Sequence, residues 1–137
     1  MCGAVHYTIS EKPLATGLCH CNRCRPESGS AFSTVIFVHS NAIMIKGETA
    51  VFDDVGASGL RVLRRYCPRC GSPLTTESEA TPGIFFVKAG TIDSNEWFYP
   101  DVEMVVVRRR PWVSPVGRLP LGPPARRSQH AVQNNAG

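Results

Sequence analysis

The stretch "CHCNRCRPESGS", from Cys19 to Ser30, places three cysteines in a C-x-C-x-x-C pattern. Apart from the intervening His20, nothing nearby supplies an obvious fourth metal ligand. A closed structural zinc site has four protein ligands, whereas a catalytic zinc site keeps one position open for water or substrate. The motif therefore indicates either part of a larger structural site or a complete site that is open to chemistry.

A second cysteine motif, "YCPRCGSPL", runs from Tyr66 to Leu74. Its C-P-x-C-G spacing is typical of a zinc knuckle, because two intervening residues let a tight turn direct both sulfurs at one ion. Gly71 lets the chain turn back after the second sulfur. Such knuckles are mostly structural, so this motif is a stronger indication of metal than of function.

The cysteines favour metal binding over disulfides. Cysteines two or three residues apart rarely pair, and no secretory signal indicates an oxidising compartment. Two partitions stay open at this point. In the first, the CNRC and CPRC pairs share one ion and two cysteines are spare. In the second, the first motif forms its own three-thiolate site and the CPRC pair takes partners from the N-terminus. The six cysteines are Cys2, Cys19, Cys21, Cys24, Cys67 and Cys70.

Length and composition are those of one globular domain. The chain has 137 residues, of which 42% are hydrophobic and 19% are charged. There is no run of about 18 apolar residues, so no membrane span or membrane partner is expected. The N-terminus "MCGAVHYTIS" shows neither a basic region nor an apolar signal core, and we therefore predict a cytoplasmic protein.

The net charge of +4 raises the possibility of a nucleic-acid partner, but the distribution of the charges argues against one. Arg108 to Arg110 end an apolar run, Arg126 and Arg127 lie in a proline-rich stretch, and "RVLRRY" alternates as a strand does. No helix carries a basic face and no aromatic–basic platform is present. We therefore expect no nucleic-acid partner.

The chain is predicted to be all-β and mainly antiparallel. Gly, Pro, Asn, Asp and Ser separate short runs rich in β-branched and aromatic residues, and "KGET" (46–49) is predicted to be a hairpin turn. Phe98 and Trp112 are expected to be packing residues that lie inside, with an aromatic rim to a pocket as the alternative. From Leu119 the composition turns to Pro, Gly, Asn and Gln, which predicts a domain over 1–120 and a mobile tail over 121–137. The predicted strands are "GAVHYTI", "AFSTVIFV", "AIMIK", "AVFDD", "LRVLRRY", "GIFFVKAG" and "VEMVVV".

Taken together and in order, the motifs resemble one known family. The segments "CGAVHYTI", "CHCNRCRPESGSAF", "YCPRCGSPL", "VKAGTID" and "RRRPW" are similar to the glutathione-dependent formaldehyde-activating enzyme family, also called the Gfa or CENP-V family. The resemblance covers about residues 1–120. It implies a β-tent fold, which is a mostly antiparallel β architecture clasped by zinc. It also implies a carbon–sulfur lyase or a catalyst of glutathione–formaldehyde adduct formation, with glutathione or another small thiol conjugate as substrate.

The resemblance assigns the cysteines to two zinc ions per chain. It implies that Cys19, Cys21 and Cys24 bind a catalytic zinc. It also implies that a C-x-C-G motif near the start joins Cys67 and Cys70 in a structural four-cysteine site. The β-tent fold also hosts non-catalytic proteins, so a zinc-stabilised binding module is the alternative function, because fold does not settle function. The oligomeric state is not predicted.

Two departures from the family pattern affect the predicted sites. Cys2-Gly3 matches the second half of C-x-C-G and Met1 occupies the x position, which leaves Cys2, Cys67 and Cys70 for the structural zinc. The fourth ligand is then a cysteine that precedes the sequence given, a water, or the Met1 α-amino group. In the first motif, "PE" (26–27) interrupts the family's small residues, and the proline stiffens the loop beside the site.

Several other residues near the first motif are candidates for substrate contacts. His20 either points away from the metal, to solvent or a carbonyl, or carries protons near it. Arg23 and Arg25 either pair with substrate carboxylates or are solvated surface residues. Ser28 and Ser30 either donate hydrogen bonds near the zinc or shape the turn at Gly29.

Overall fold

Strands are the predominant regular secondary structure among the described residues, as the β-branched runs of the sequence predict. The computed structural model describes residues 1–116 and 132–134, the last three by their backbone. Within these residues, one five-residue helix and three single-turn 3₁₀ helices interrupt the strands. The strands are β1 (His6–Ile9), β2 (Ala15–Cys19), β3 (Ser33–His39), β4 (Ile43–Lys46), β5 (Ala50–Val55), β6 (Arg61–Tyr66), β7 (Pro73–Ser78), β8 (Ile84–Lys88), β9 (Val102–Met104) and β10 (Val132–Asn134); the helix is α1 (Cys24–Ser28), and the 3₁₀ turns are Ser40–Ala42, Ala89–Thr91 and Val106–Arg108.

The strands form two sheets. The larger sheet has seven strands in the order β5-β6-β7-β8-β3-β2-β9, and the smaller has the order β10-β1-β4. Every pairing is antiparallel except that between β2 and β9. The prediction of an all-β, mainly antiparallel fold is confirmed. None of the helices in the described residues is long and apolar enough to cross a membrane.

The hydrophobic core joins the two sheets. Tyr7 and Ile9 of β1 are buried in the same cluster as Ile36 of β3 and Val87 of β8, and the last two have no exposed surface. A fully buried side chain of this size contributes roughly 1.5–3 kcal/mol to folding. Cys67 is part of the same cluster, which places one cysteine motif at the edge of the core.

The predicted "KGET" hairpin is wrong. Lys46 ends β4 in the smaller sheet, whereas the next strand, β5, begins at Ala50 and pairs with β6 in the larger sheet. The segment is therefore a connection between the two sheets. Gly47 has a φ of 101° there, and a Cβ on it would lie 2.2 Å from the carbonyl oxygen of Ala4. The glycine is therefore required by close backbone contact.

Other expectations about strands and packing also need correction. β2 and β7 were not predicted, and "VEMVVV" leaves strand geometry after Met104, because Val105 has a φ of 57° and a 3₁₀ turn follows. Trp112 is 76% exposed, so the prediction that it packs inside is wrong. Phe98 does pack against the core.

The predicted domain boundary at residue 120 and most of the predicted tail, 121–137, lie outside the described residues. Within that segment, the backbone of Val132–Asn134 pairs with β1 in antiparallel register. The composition of the segment gave no indication of this pairing.

Candidate metal centre

The first cysteine motif lies where β2 ends and α1 begins. Cys19 is the last residue of β2, whose neighbours β3 and β9 pair with it at Ser33 and Met104. Cys24 is the first residue of α1. The short loop between them carries Cys21, whose sulfur accepts a hydrogen bond from the backbone N–H of Cys24 at 3.1 Å. The sheet and the helix thus bring the three sulfurs together, and all lie within 4.8 Å of one another.

The second cluster contains Cys2, Cys67 and Cys70, whose sulfurs also lie within 4.8 Å of one another. Cys67 follows β6 directly, and a tight turn between β6 and β7 presents Cys70. Gly71 donates its backbone N–H to the carbonyl of Cys67 at 2.8 Å and has a φ of 75°, as the predicted turn requires. Cys2 completes the cluster, with its sulfur 3.6 Å from that of Cys67.

Both clusters fit zinc. Tetrahedral zinc–thiolate bonds of about 2.3 Å place two sulfurs roughly 3.8 Å apart, close to the 3.6 Å between Cys2 and Cys67. A disulfide would need about 2.05 Å, and all six cysteines are free thiols. Among the described residues, neither cluster contains a fourth His, Cys, Asp or Glu ligand. The CNRC and CPRC cysteines lie in two separate clusters, so the alternative in which these pairs share one ion is wrong.

The thiols within each cluster differ in pKa. The pKa of Cys21 is lowered to about 2, because the Cys19 and Cys24 thiols and backbone N–H groups hydrogen-bond to its thiolate. The same contacts with Cys21 and Cys24, together with burial, raise the pKa of Cys19. In the second cluster, hydrogen bonds from Ser72 lower the pKa of Cys70 to about 6. Each cluster therefore already has one sulfur that favours the thiolate form.

A buried charged network packs against the first cluster, and the sequence gave no prediction of it. Glu27 of α1 accepts a hydrogen bond from Arg64 Nη1 at 2.5 Å and from Lys88 Nζ at 2.8 Å. Thr76 Oγ1 also donates to Glu27, at 3.4 Å. The three partners lie on the adjacent strands β6, β8 and β7. One carboxylate thereby ties the cysteine-bearing helix to three strands.

A second carboxylate extends this network. Arg64 Nε donates to Asp54 Oδ2 at 3.0 Å, and Arg23 Nη1 lies 3.6 Å from Asp54 Oδ1. Burial alone would raise the pKa of Asp54, but the hydrogen bond from Arg64, the Val55 N–H and the charge of Arg23 hold it below its usual value. Burial likewise opposes the charge of Arg64, yet Glu27, Asp54 and the nearby Cys24 sulfur raise its pKa.

His20 is fully buried, so of its alternatives the one in which it points to solvent is wrong. Its ring packs edge-on against Phe32, and its Nε2 lies 3.8 Å from Glu103 Oε1. Neither ring nitrogen has a hydrogen-bond partner among the described residues. Glu103 accepts hydrogen bonds from Arg109 and from the backbone N–H of Val116, and it was also missed by the sequence interpretation.

The predicted substrate-contacting residues lie beside the first cluster, with partners of their own. The Arg23 side chain is 60% exposed, and Arg25 donates to Asn22 Oδ1. Ser30 is exposed. Ser28 Oγ lies within hydrogen-bonding distance of the carbonyls of Arg25 and Phe32, which is the turn-shaping geometry. Contacts of these residues with a substrate stay a prediction.

A cavity of about 390 Å³ borders the second cluster rather than the first. Cys2, Cys67 and Cys70 line one part of it, and no cysteine of the first motif does. The remaining wall approaches the first cluster, because it includes Lys88 of the buried network and Ser33, the strand partner of Cys19. The volume is within the range of small-molecule sites.

Comparison with known proteins agrees with these features. The sequence model of a family described as "Glutathione-dependent formaldehyde-activating enzyme" matches residues 1–108, which contain all six cysteines. A search of curated proteins found no match.

Proposed function

Because the chain belongs to the glutathione-dependent formaldehyde-activating enzyme family, we propose that it makes or breaks a carbon–sulfur bond of a glutathione adduct. The catalytic zinc ligands are Cys19, Cys21 and Cys24, and the structural ligands are Cys2, Cys67 and Cys70. The observation that carries the proposal is the convergence of three sulfurs of the first motif without a fourth protein ligand among the described residues.

The donor set suits a sulfur substrate. Three thiolates around a divalent zinc carry a formal charge of −1, so the site is a weaker Lewis acid than one built from neutral imidazoles. A zinc ion held by Cys19, Cys21 and Cys24 would lower the pKa of a substrate thiol and so favour its thiolate, as nucleophile or as leaving group. Cys21 and Cys24 are partly exposed, so substrate can reach this side of the cluster.

The proposed reaction needs only glutathione and formaldehyde as reactants. In the forward direction, the glutathione sulfur forms a bond to the carbonyl carbon of formaldehyde, and the carbon–oxygen π bond breaks. The thiol proton ends on the oxygen, which becomes the hydroxyl group of an S-hydroxymethyl adduct. The lyase direction reverses each step: the carbon–sulfur bond breaks, the hydroxyl proton is released, and the sulfur leaves as thiolate.

The second cluster is assigned to structure for a different reason. Cys67 is part of the hydrophobic core, and Cys2 brings the N-terminal segment onto the turn between β6 and β7. Metal bound at such a place contributes directly to folding free energy. The cavity that borders this cluster is where the opposite assignment would locate the substrate, and the experiment below separates the two.

The test is a panel assay of thiol release from glutathione conjugates and of adduct formation from glutathione and formaldehyde. Parent, Cys21→Ser and Cys67→Ser proteins are compared, with circular dichroism to control for unfolding. We expect Cys21→Ser to be folded and inactive. If the Cys67→Ser protein is folded but inactive while the Cys21→Ser protein is active, the second cluster holds the catalytic zinc and the first holds the structural zinc. A parent protein inactive on the whole panel would favour the non-catalytic binding module.

A further inference from the structure

The buried network beside Cys24 has more charges than anchoring a short helix requires. Glu27, Arg64 and Lys88 have side chains that are 11%, 9% and 7% exposed. Removing charges from water is costly, and a well-packed apolar contact would attach the helix at lower cost. A buried cluster of this kind at a reaction site indicates an electrostatic role.

The backbone fixes the network against the cysteine cluster. Glu27 follows Cys24 by three residues in α1, so the two side chains are neighbours on one helical face. Lys88 Nζ lies 3.5 Å from Ser33 Oγ, and Ser33 is the strand partner of Cys19. Lys88 therefore contacts α1, which carries Cys24, and the strand that pairs with β2 at Cys19.

The net charge of the network is opposite in sign to that of the proposed zinc site. Arg23, Arg64 and Lys88 are cations and Glu27 and Asp54 are carboxylates, which leaves one formal positive charge. A zinc ion with three thiolates carries −1, and a thiolate bound at the fourth position makes it −2. Without nearby cations, this second negative charge would disfavour the anionic form of the ligand.

We propose that Lys88 and Arg64, oriented by Glu27, are positioning residues that make the three-thiolate site selective for anionic sulfur ligands over neutral ones. The inference rests on the proposed function, because it takes Cys19, Cys21 and Cys24 as the open zinc site. Lys88 also contributes to the wall of the 390 Å³ cavity.

The experiment measures ligand binding rather than turnover. Cobalt(II) replaces zinc, and the thiolate-to-cobalt absorption bands are followed while glutathione, or neutral imidazole, is titrated. The variants are Lys88→Met, which removes the charge at similar length, and Lys88→Arg, which keeps it. Lys46→Met is the matched control, because Lys46 is exposed on β4. Arg64→Gln is an independent variant with the same expectation as Lys88→Met, in case one of the two does not fold.

An opposite charge a few ångströms away shifts the pKa of a group by one to three units. Because Glu27 neutralises part of the Lys88 charge, we expect a shift of about one unit for the bound thiol. Lys88→Met should raise the Kd for glutathione about 10-fold and change that for imidazole by less than about 2-fold. Lys88→Arg and Lys46→Met should bind both ligands like the parent. Equal weakening of both ligands, or an unchanged glutathione Kd in the charge-removing variants, would overturn the inference while leaving the proposed function intact. A parent protein whose cobalt spectrum does not respond to glutathione would overturn the proposed function itself.

Discussion

The substitution Glu27→Gln tests whether the buried network holds α1 in place. Gln has the shape of Glu but no charge, so Lys88 would lose the carboxylate that it contacts at 2.8 Å. Arg64 would keep Asp54 at 3.0 Å, which limits the damage to one unpaired buried cation. Removing one partner of a buried ion pair costs about 3–5 kcal/mol. We take the low end, about 3 kcal/mol, because Thr76 and Ser33 can still hydrogen-bond to the altered groups.

At roughly 4 °C per kcal/mol for a domain of this size, Glu27→Gln should lower the melting temperature by about 12 °C. Thermal unfolding is followed by circular dichroism, with both proteins saturated with zinc. Glu77→Gln is the matched control, because Glu77 pairs with Arg65 at 3.0 Å but both side chains are 26% exposed. That pair should contribute less than about 1 kcal/mol. A Glu27→Gln protein that melts within 2 °C of the control would show that the network does not anchor the helix.

The remaining predictions concern the second cluster and pH. Cys67→Ser should lower the melting temperature sharply or abolish soluble expression, since Cys67 is 2% exposed within the core, and a variant that melts like the parent would refute its structural role. The pKa values of Asp54 and Glu103 are lowered from 3.8 and 4.5, so the stability they provide is present above those values and lost as pH falls below them. The melting temperature should therefore decline below about pH 4.5. Asp54→Asn should make this decline less steep. Equal slopes of melting temperature against pH for variant and parent would contradict this.

Local sequence signals predicted that the cysteines form clusters. The C-x-C-x-x-C and C-P-x-C-G spacings act over a few residues, and the structure brings each set of sulfurs together as two separate triads. Sequence alone could not choose between these triads and a shared four-thiolate site, because that choice depends on which strands become neighbours. β3, β5, β6 and β8 were also predicted, because each is a run of β-branched or aromatic residues between turn residues.

The charged network could not be predicted in the same way. Glu27 contacts Arg64 and Lys88 at sequence separations of 37 and 61 residues, so their contact depends on the strand order β6-β7-β8. One signal was available: Arg64 lies two residues from buried Val62 on the same face of β6. An arginine in that position indicates a buried partner. The "KGET" error has the same origin, since a short turn does not reveal that its two strands enter different sheets.

The most direct test of the central claim combines turnover with zinc content in the parent and Cys21→Ser proteins. We expect up to two zinc ions per parent chain. Cys21→Ser should keep its fold and the zinc held by Cys2, Cys67 and Cys70. It should lose activity on the parent's best glutathione substrate by at least ~10²-fold, because a hard hydroxyl replaces a soft thiolate ligand. A folded Cys21→Ser protein that turns over this substrate at the parent's rate would contradict the assignment of Cys19, Cys21 and Cys24 as the catalytic zinc ligands.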